Sequence, residues 1–384
     1  MTLARVTAIA RKEWREIVRD RLYFLLAFLL PVLLMLVLGY GLTQDVENIP
    51  LAVVDEDRSA ASREYARHFT DSRYFHFEGD VSRVAEADRL IAEGRVRVVI
   101  VIGDRFERDL NGGRTATVQT LFDGAFIAST RVLQGYVDAI NAEAGLALQT
   151  MAVARAMGVS PARAAVMVRP VQLDVRYLYN QEMRTVWAIA PSLIMNILMW
   201  TSPLLVALSV VREKERGSIY NIYASRTSRL EFLAGKLAPC AAISFANAVV
   251  LWLLATRYFG APFKGSLLCL GAATVVYVLA TSALGLLIGM FVRTQQAALI
   301  GVVLLGAIVG MYFSGMFESV ATLPLPNRIV SHLFPAMYYN DVVQGTFLKG
   351  AGFADSWPDI AATGVFAAGA GLGAFLLFHK RVRA

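Results

Sequence analysis

The chain has 384 residues, 56% of them hydrophobic and 17% charged, with a formal charge of +7. Soluble globular chains carry about 45–50% apolar and ~25% charged residues, so an ordinary soluble domain is excluded. Disorder, a collagen-like chain and a disulfide scaffold are excluded with it.

Uncharged runs cover 22–44, 185–211, 237–256, 265–292, 294–317 and 360–378. About 20 apolar residues cross the ~30 Å hydrocarbon core, so each run is expected to make one crossing. The fold class expected is a polytopic α-helical membrane protein. It has six transmembrane helices and an α/β extracytoplasmic domain between the first and second spans. The divisions are a cytoplasmic interface helix (1–21), the first span (22–42), the external domain (43–183) and the remaining spans (184–384). The last part includes a cytoplasmic loop over 212–236 and an external re-entrant segment over 318–357.

The excess positive charge is not a nucleic-acid footprint. Residues 1–21, 212–236, Arg293 and the tail with Lys380, Arg381 and Arg383 together carry +10, whereas 43–183 carries −4. Lys and Arg concentrate on the cytoplasmic side of short loops and span ends. Six crossings alternate consistently with that rule, placing both termini in the cytoplasm. Some of the charge would also attract anionic lipid.

Residues 1–42 do not read as a cleaved leader, because charge runs to Arg21 and no small-x-small site precedes Gln44. In 3–20, Leu3, Val6, Ala10, Trp14 and Ile17 recur at helical spacing, opposite Arg5, Lys12, Arg15 and Arg19. Such a helix lies along the inner membrane face or extends the first span into the cytosol. Pro31 is expected to kink that span, with a neighbour satisfying the freed carbonyl.

The insert alternates strands and helices. Strands are expected at Leu51–Val54, Tyr74–Phe77, Val96–Ile102 and Thr115–Phe122. Helices are expected from Ser59 or Ser62 to Phe69, over Val81–Ala92, and from about Ala125 to Met157. Gln172–Tyr179 is a further candidate strand. This order predicts a small sheet with helices packed on it. Asp55, Glu56 and Asp57 could hold a cation, although acids at a strand-to-helix turn commonly cap.

Catalytic motifs are absent from the sequence: no phosphate loop, no H-E-x-x-H, no G-x-S-x-G and no G-x-G-x-x-G after a strand. His68 and His76 have no ligand spacing, and Cys240 and Cys269 fall within spans. No catalytic or metal residue is assigned, and no enzyme activity is expected. In 318–357, the apolar patch Ile329–Asn340 is too short to cross. It fits a re-entrant or interfacial pair of short helices, or a membrane-surface loop with buried aromatics. Asn196, Trp200 and Pro203 share one face of the second span, and Asn247 lies in the third. Intramembrane polar residues mark pathways or hold helices together. The glycine pairs Gly285/Gly289, Gly306/Gly310 and Gly369/Gly373 suggest close helix packing.

Arg212-Glu213-Lys214-Glu215-Arg216-Gly217 follows the second span, and Gly235-Lys236 opens the third. A short charged helix held between two spans could pass a push from a cytosolic partner, or be a solvated topogenic loop. With Pro50–Asp57, Val99–Phe106 and Phe334–Asn340, this order resembles the permease subunits of ABC-2 type exporters over nearly the whole chain. Ser218-Ile219-Tyr220 and Ala224-Ser225 stand where that family commonly has Thr-Leu-Glu and Thr-Pro.

The resemblance implies outward transport across the bacterial inner membrane, driven by a separate cytosolic ABC ATPase subunit that binds ATP and magnesium. This chain itself would bind no cofactor. It implies a second permease chain, identical or a paralogue, and a periplasmic adaptor of the membrane-fusion kind. Arg212, Glu213, Lys214, Glu215, Arg216 and Gly217 would form the ATPase-coupling surface, supported by Arg11, Lys12, Trp14 and Arg15. Asn196, Trp200 and Asn247 would line the translocation path. The rivals are a mechanotransmission or sensory protein that uses the same ATPase stroke, and an ion channel.

Overall fold

The computed structural model describes residues 3–42, 48–125, 127–168, 176, 178–181, 184–220, 225 and 227–378. The chain divides into two compact units, Met1–Thr43 with Tyr177–Ala384, and Gln44–Arg176.

Helix α1 runs Leu3–Arg19 and α2 runs Arg21–Gly41. They are separated by Asp20, whose extended backbone and Oδ1, accepting from the Leu22 and Tyr23 amides at 3.1 Å, start α2 afresh. The apolar stripe expected on α1 splits. Ile17 is buried and Val6 and Ala10 are half-buried, whereas Leu3 and Trp14 are exposed. The inward face instead carries Glu13, which is buried between Ile9 and Ile17. In α2 the backbone widens into a π turn over Leu25–Leu29, just ahead of Pro31. Proline has no N–H to reach the carbonyl four residues back, which here is Ala27. The Asn247 amide donates to that carbonyl at 2.8 Å.

The second unit comprises β1 (Ile49–Asp55), α3 (Ala60–Thr70), β2 (Phe75–Asp80) and α4 (Val84–Ala92), then β3 (Val98–Ile102), α5 (Phe106–Asn111) and β4 (Val118–Phe122). Helices α6 (Ile127–Met157) and α7 (Pro161–Val168) follow. Strand order is β2-β1-β3-β4, with β1 parallel to β2 and β3, and β4 antiparallel to β3. All five β3 residues, Val-Val-Ile-Val-Ile, are buried, as expected of a strand covered on both faces. Tyr65, Phe69, Phe106, Leu133 and Val137 cover one face, and Val84, Ala87 and Leu90 the other. Asp55 accepts from the Arg58 amide at 2.9 Å and the Ser62 hydroxyl at 2.8 Å, and Asp57 from the Glu107 amide at 3.1 Å. These acids cap turns. Most of the strand expected at Gln172–Tyr179 lies outside the described residues, as do Lys380, Arg381 and Arg383.

In the first unit the chain continues through α8 (Thr185–Glu215), α9 (Arg229–Tyr258), α10 (Leu267–Phe291) and α11 (Gln295–Gly310). Helices α12 (Leu325–His332), α13 (Pro335–Gln344) and α14 (Phe353–Leu377) complete it. Five helices among the described residues, α2, α8, α9, α10 and α14, are long and apolar enough to cross a membrane. The run 294–317 falls short of the length expected. Its helix passes into a π turn at Gly306–Gly310 and gives way to bends that include Gly315 at φ +82°. Two glycines in that last turn weaken the helix where it would need to extend.

Helix α8 is the axis of this unit, buried almost continuously from Ile189 to Glu213. Gly285 of α10 meets the Pro203 backbone directly, and Gly289 lies against Val210 and Ala207, the close approach expected of small residues. Within 318–357, α12 and α13 form a pair of short helices. Tyr339 of α13 is buried, stacks on Tyr277 at 4.1 Å and shares a hydrogen bond with Thr274 at 2.8 Å.

Candidate functional site

Of the short helix expected between the second and third spans, 221–224 lie outside the described residues, and the charged run that opens it belongs to α8 instead. Arg212–Glu215 is the last turn of α8, Arg216 caps it, and Gly217 turns the chain at φ +68°. Successive helical residues point ~100° apart, so four consecutive charges fan out around the helix. Each reaches a different neighbour.

Arg212 places Nη1 3.2 Å from Asp20 Oδ2 and its guanidinium 4.4 Å from the Tyr23 ring centre. Glu213 Oε1 accepts from Lys12 Nζ at 2.9 Å and Lys236 Nζ at 2.8 Å. Lys214 donates to the carbonyls of Gly289 at 2.6 Å, Met290 at 2.8 Å and Val292 at 3.3 Å. It thus supplies a cation to the carbonyl end of α10. Glu215 Oε1 accepts from the Gln295 amide at 2.7 Å, and its other oxygen from the Gln295 side chain. That puts an anion at the amide end of α11. Four side chains therefore tie α8 to α1, α2, α9, α10 and α11.

Lys236 lies at the centre and has no exposed surface. Besides Glu213, its ammonium donates to Glu13 Oε2 and, at 3.1 Å, to the Ser209 carbonyl. Glu13 Oε1 and Glu213 Oε2 are buried and make no hydrogen bond. Burial pushes the Glu13 carboxyl above the usual carboxylate range, outweighing the pull of Lys236. Gly235 brings the helices together. A Cβ there would lie 2.7 Å from Ile9 Cβ and Cγ2, and 3.3 Å from the Val6 carbonyl. Arg5, at 3.7 Å from Glu231, extends the same seam by one turn.

On the other side of α1 a cleft of about 750 Å³ is lined in part by Arg11, Lys12, Arg15, Arg19, Arg212 and Arg216. Arg11, Lys12, Trp14, Arg15, Glu215 and Arg216 are exposed, whereas Arg212 and Glu213 are buried and Lys214 is half-buried. The residues expected to form one surface thus fall into an inward set and an outward set.

The candidates within the spans separate likewise. Asn196 is buried with neither amide atom hydrogen-bonded, its Nδ2 facing Gly310, and Trp200 Nε1, also without a partner, faces Gly306. Asn247 bonds to α2. Among the described residues no group of acids, histidines or cysteines is arranged to hold a metal ion, and both cysteines are free and buried.

Sequence reasoning missed Glu13, Asp20 and Tyr23, and took Gly235-Lys236 only as part of a resemblance. One signal was available. Glu13 interrupts an apolar row at Val6, Ile9, Ala10 and Ile17, and an acid at such a position requires a buried partner.

The profile of a family described as "ABC-2 family transporter protein" matches residues 21–376. The probable multidrug ABC transporter permease YbhS of Escherichia coli K12 is 28% identical over 350 residues, covering 90% of this chain and 89% of that protein. The probable multidrug ABC transporter permease YbhR of the same organism is 24% identical over 379 residues, covering 98% and 99%. The inner membrane transport permease YhhJ, also from that strain, is 23% identical over 313 residues, covering 80% and 79%.

Proposed function

Because this chain belongs to the ABC-2 family of transporter proteins, we propose that it is the permease of an exporter powered by a separate cytosolic ATPase. Two permease chains pair, and each docks one ATPase subunit, which holds the ATP and magnesium. Substrate moves outward across the inner membrane. The names of YbhS and YbhR, both probable multidrug permeases, suggest amphipathic drug-like compounds as its class.

The observation that carries this reading is the fan of charges at the end of α8. It gathers the ends of α1, α2, α9, α10 and α11 at one ionic corner. Glu215, Arg216 and Gly217 are the outward contact, with Arg11, Lys12, Trp14 and Arg15 beside them, and Arg212, Glu213 and Lys214 support them from within. Asn196 and Trp200 face the path when α11 moves away from α8.

Both termini and the 212–236 loop are cytoplasmic, which requires an even number of crossings. Helix α11 supplies the sixth: its 16 residues reach ~24 Å at 1.5 Å per residue, and the bends after it add the rest. The external domain docks a periplasmic adaptor.

The test is purification of the tagged chain in mild detergent, followed by ATP-driven dye uptake into inverted vesicles. An ATP-binding subunit is expected to co-purify. Arg216→Glu is expected to insert normally but to abolish substrate-stimulated ATP hydrolysis. Normal stimulation in that variant overturns the assignment.

A further inference from the structure

Three charges from three elements meet where water does not reach. Lys236 of α9 is 0% exposed, Glu13 of α1 1% and Glu213 of α8 3%. Apolar side chains of similar volume would fill this space without the desolvation cost that buried ions carry. Packing alone therefore does not account for the charges. What an ion cluster adds is a steep penalty on separation: if α1 moves without α8, Lys236 or a carboxylate is left buried and unpaired.

The seam on either side has little slack. The Ile9 side chain sits directly on Gly235, so α1 cannot slide along α9 without a clash or a gap. Ser209 adds a further tie, because its carbonyl accepts from the same ammonium one turn before Glu213. Lys12 belongs to both faces. It lines the cleft while its ammonium reaches Glu213. The outward residues Arg11, Arg15 and Arg216 are thus never more than a few positions from the buried cluster along the same helices.

We propose that Lys236 is the positioning residue of the coupling step, pinning α1 and the end of α8 to α9 so that a push on the exposed face reaches the spans as one motion. This rests on the permease reading above, in which an ATPase supplies the push. Lys236 touches neither nucleotide nor substrate. It acts by keeping three helices in register.

The experiment compares variants of the full permease–ATPase complex in inverted vesicles, with ethidium as the transported probe. One variant removes all three charges (Glu13→Gln, Glu213→Gln, Lys236→Met), so no ion is stranded. The other exchanges the signs of all three (Glu13→Lys, Glu213→Lys, Lys236→Glu), so the central charge still lies between two opposite ones. The readouts are melting temperature, co-purification of the ATP-binding subunit, and ethidium moved per ATP hydrolysed.

The neutral variant is expected to bind the ATPase yet move at least tenfold less ethidium per ATP, and the exchanged variant to recover most of that loss. Wild-type yield per ATP in the neutral variant overturns the proposal. If the neutral variant does not fold, the exchanged one decides. Recovered coupling supports the pin, and a folded, ATPase-bound but uncoupled protein overturns it. A wild-type complex that binds no ATPase or moves no dye counts against the permease reading instead, and is recognised before any variant is compared.

Discussion

The Arg212 guanidinium lies 4.4 Å from the centre of the Tyr23 ring while Nη1 stands 3.2 Å from Asp20 Oδ2. Tyr23 in turn donates its hydroxyl to the Leu205 carbonyl at 2.5 Å. One arginine thereby joins the end of α8 to the residue that caps α2 and to the ring that fixes its first turn. A flat, delocalised cation can stack and bridge at once, whereas an ammonium is a point charge. Arg212→Lys is therefore expected to destabilise the protein by about 1–2 kcal/mol. Thermal unfolding of the purified permease measures this, and an unchanged midpoint would show that the stack contributes nothing.

Asn247 and Pro31 are coupled through one carbonyl. Asn247→Ala leaves Ala27 O without the 2.8 Å donor it now has, a loss of about 1–3 kcal/mol for a buried acceptor. With Pro31→Ala in the same chain, a backbone N–H becomes available to Ala27 O and the loss should shrink. A double-mutant cycle reads the coupling. Strictly additive effects would mean that the amide does not compensate for the proline.

Glu13 carries a pH dependence with a definite sign. Its neighbours are Lys236, which lowers its pKa, and Glu16 and Glu213, which raise it, with burial the dominant influence upward. A carboxyl raised in the folded state holds a proton that the unfolded chain has released. Its contribution to stability is therefore present below the ordinary carboxylate range and lost as pH rises through the raised value. Glu13→Gln keeps an acceptor for Lys236 but cannot titrate. Its stability relative to wild type should improve as pH rises above the ordinary carboxylate range. A constant difference over that rise would refute the shift.

Two glycines in neighbouring helices should respond oppositely to alanine. At Gly271 an added Cβ meets nothing within 4 Å, so Gly271→Ala should gain up to ~1 kcal/mol from helix propensity. At Gly235 it would meet Ile9 at 2.7 Å, and overpacking of about 1–3 kcal/mol should exceed that gain. Melting temperatures of the two variants should move apart. Equal shifts would mean that the α1–α9 contact is loose.

Much of this molecule follows from local chemistry. Apolar run length identifies α2, α8, α9, α10 and α14, because the run must match the hydrocarbon thickness or, within the fold, a buried helix. The strands of the α/β unit are legible from Val-Val-Ile-Val-Ile and its turn residues. The cap that starts α9 is visible as well, with Ser228 and Glu231 bonding each other's backbone amides at 3.2 and 2.8 Å. The charges Arg212–Glu215 are equally plain in the chain, and helical geometry alone says that they must point in different directions.

What each of them meets was decided only in three dimensions. Glu13 and Lys236 are 223 positions apart, and no spacing rule links residues so distant. Their pairing depends on Gly235 letting α1 approach α9, on Asp20 starting α2 afresh after α1, and on α8 bringing Glu213 and the Ser209 carbonyl to the same ammonium. The length of α11 was likewise open, since a run of 24 uncharged residues fixes only an upper bound on a helix. Hydrophobicity acts on every residue by itself and can be read along the chain. Ion pairing in a buried place requires several elements to arrive together, and only the tertiary structure brings them there.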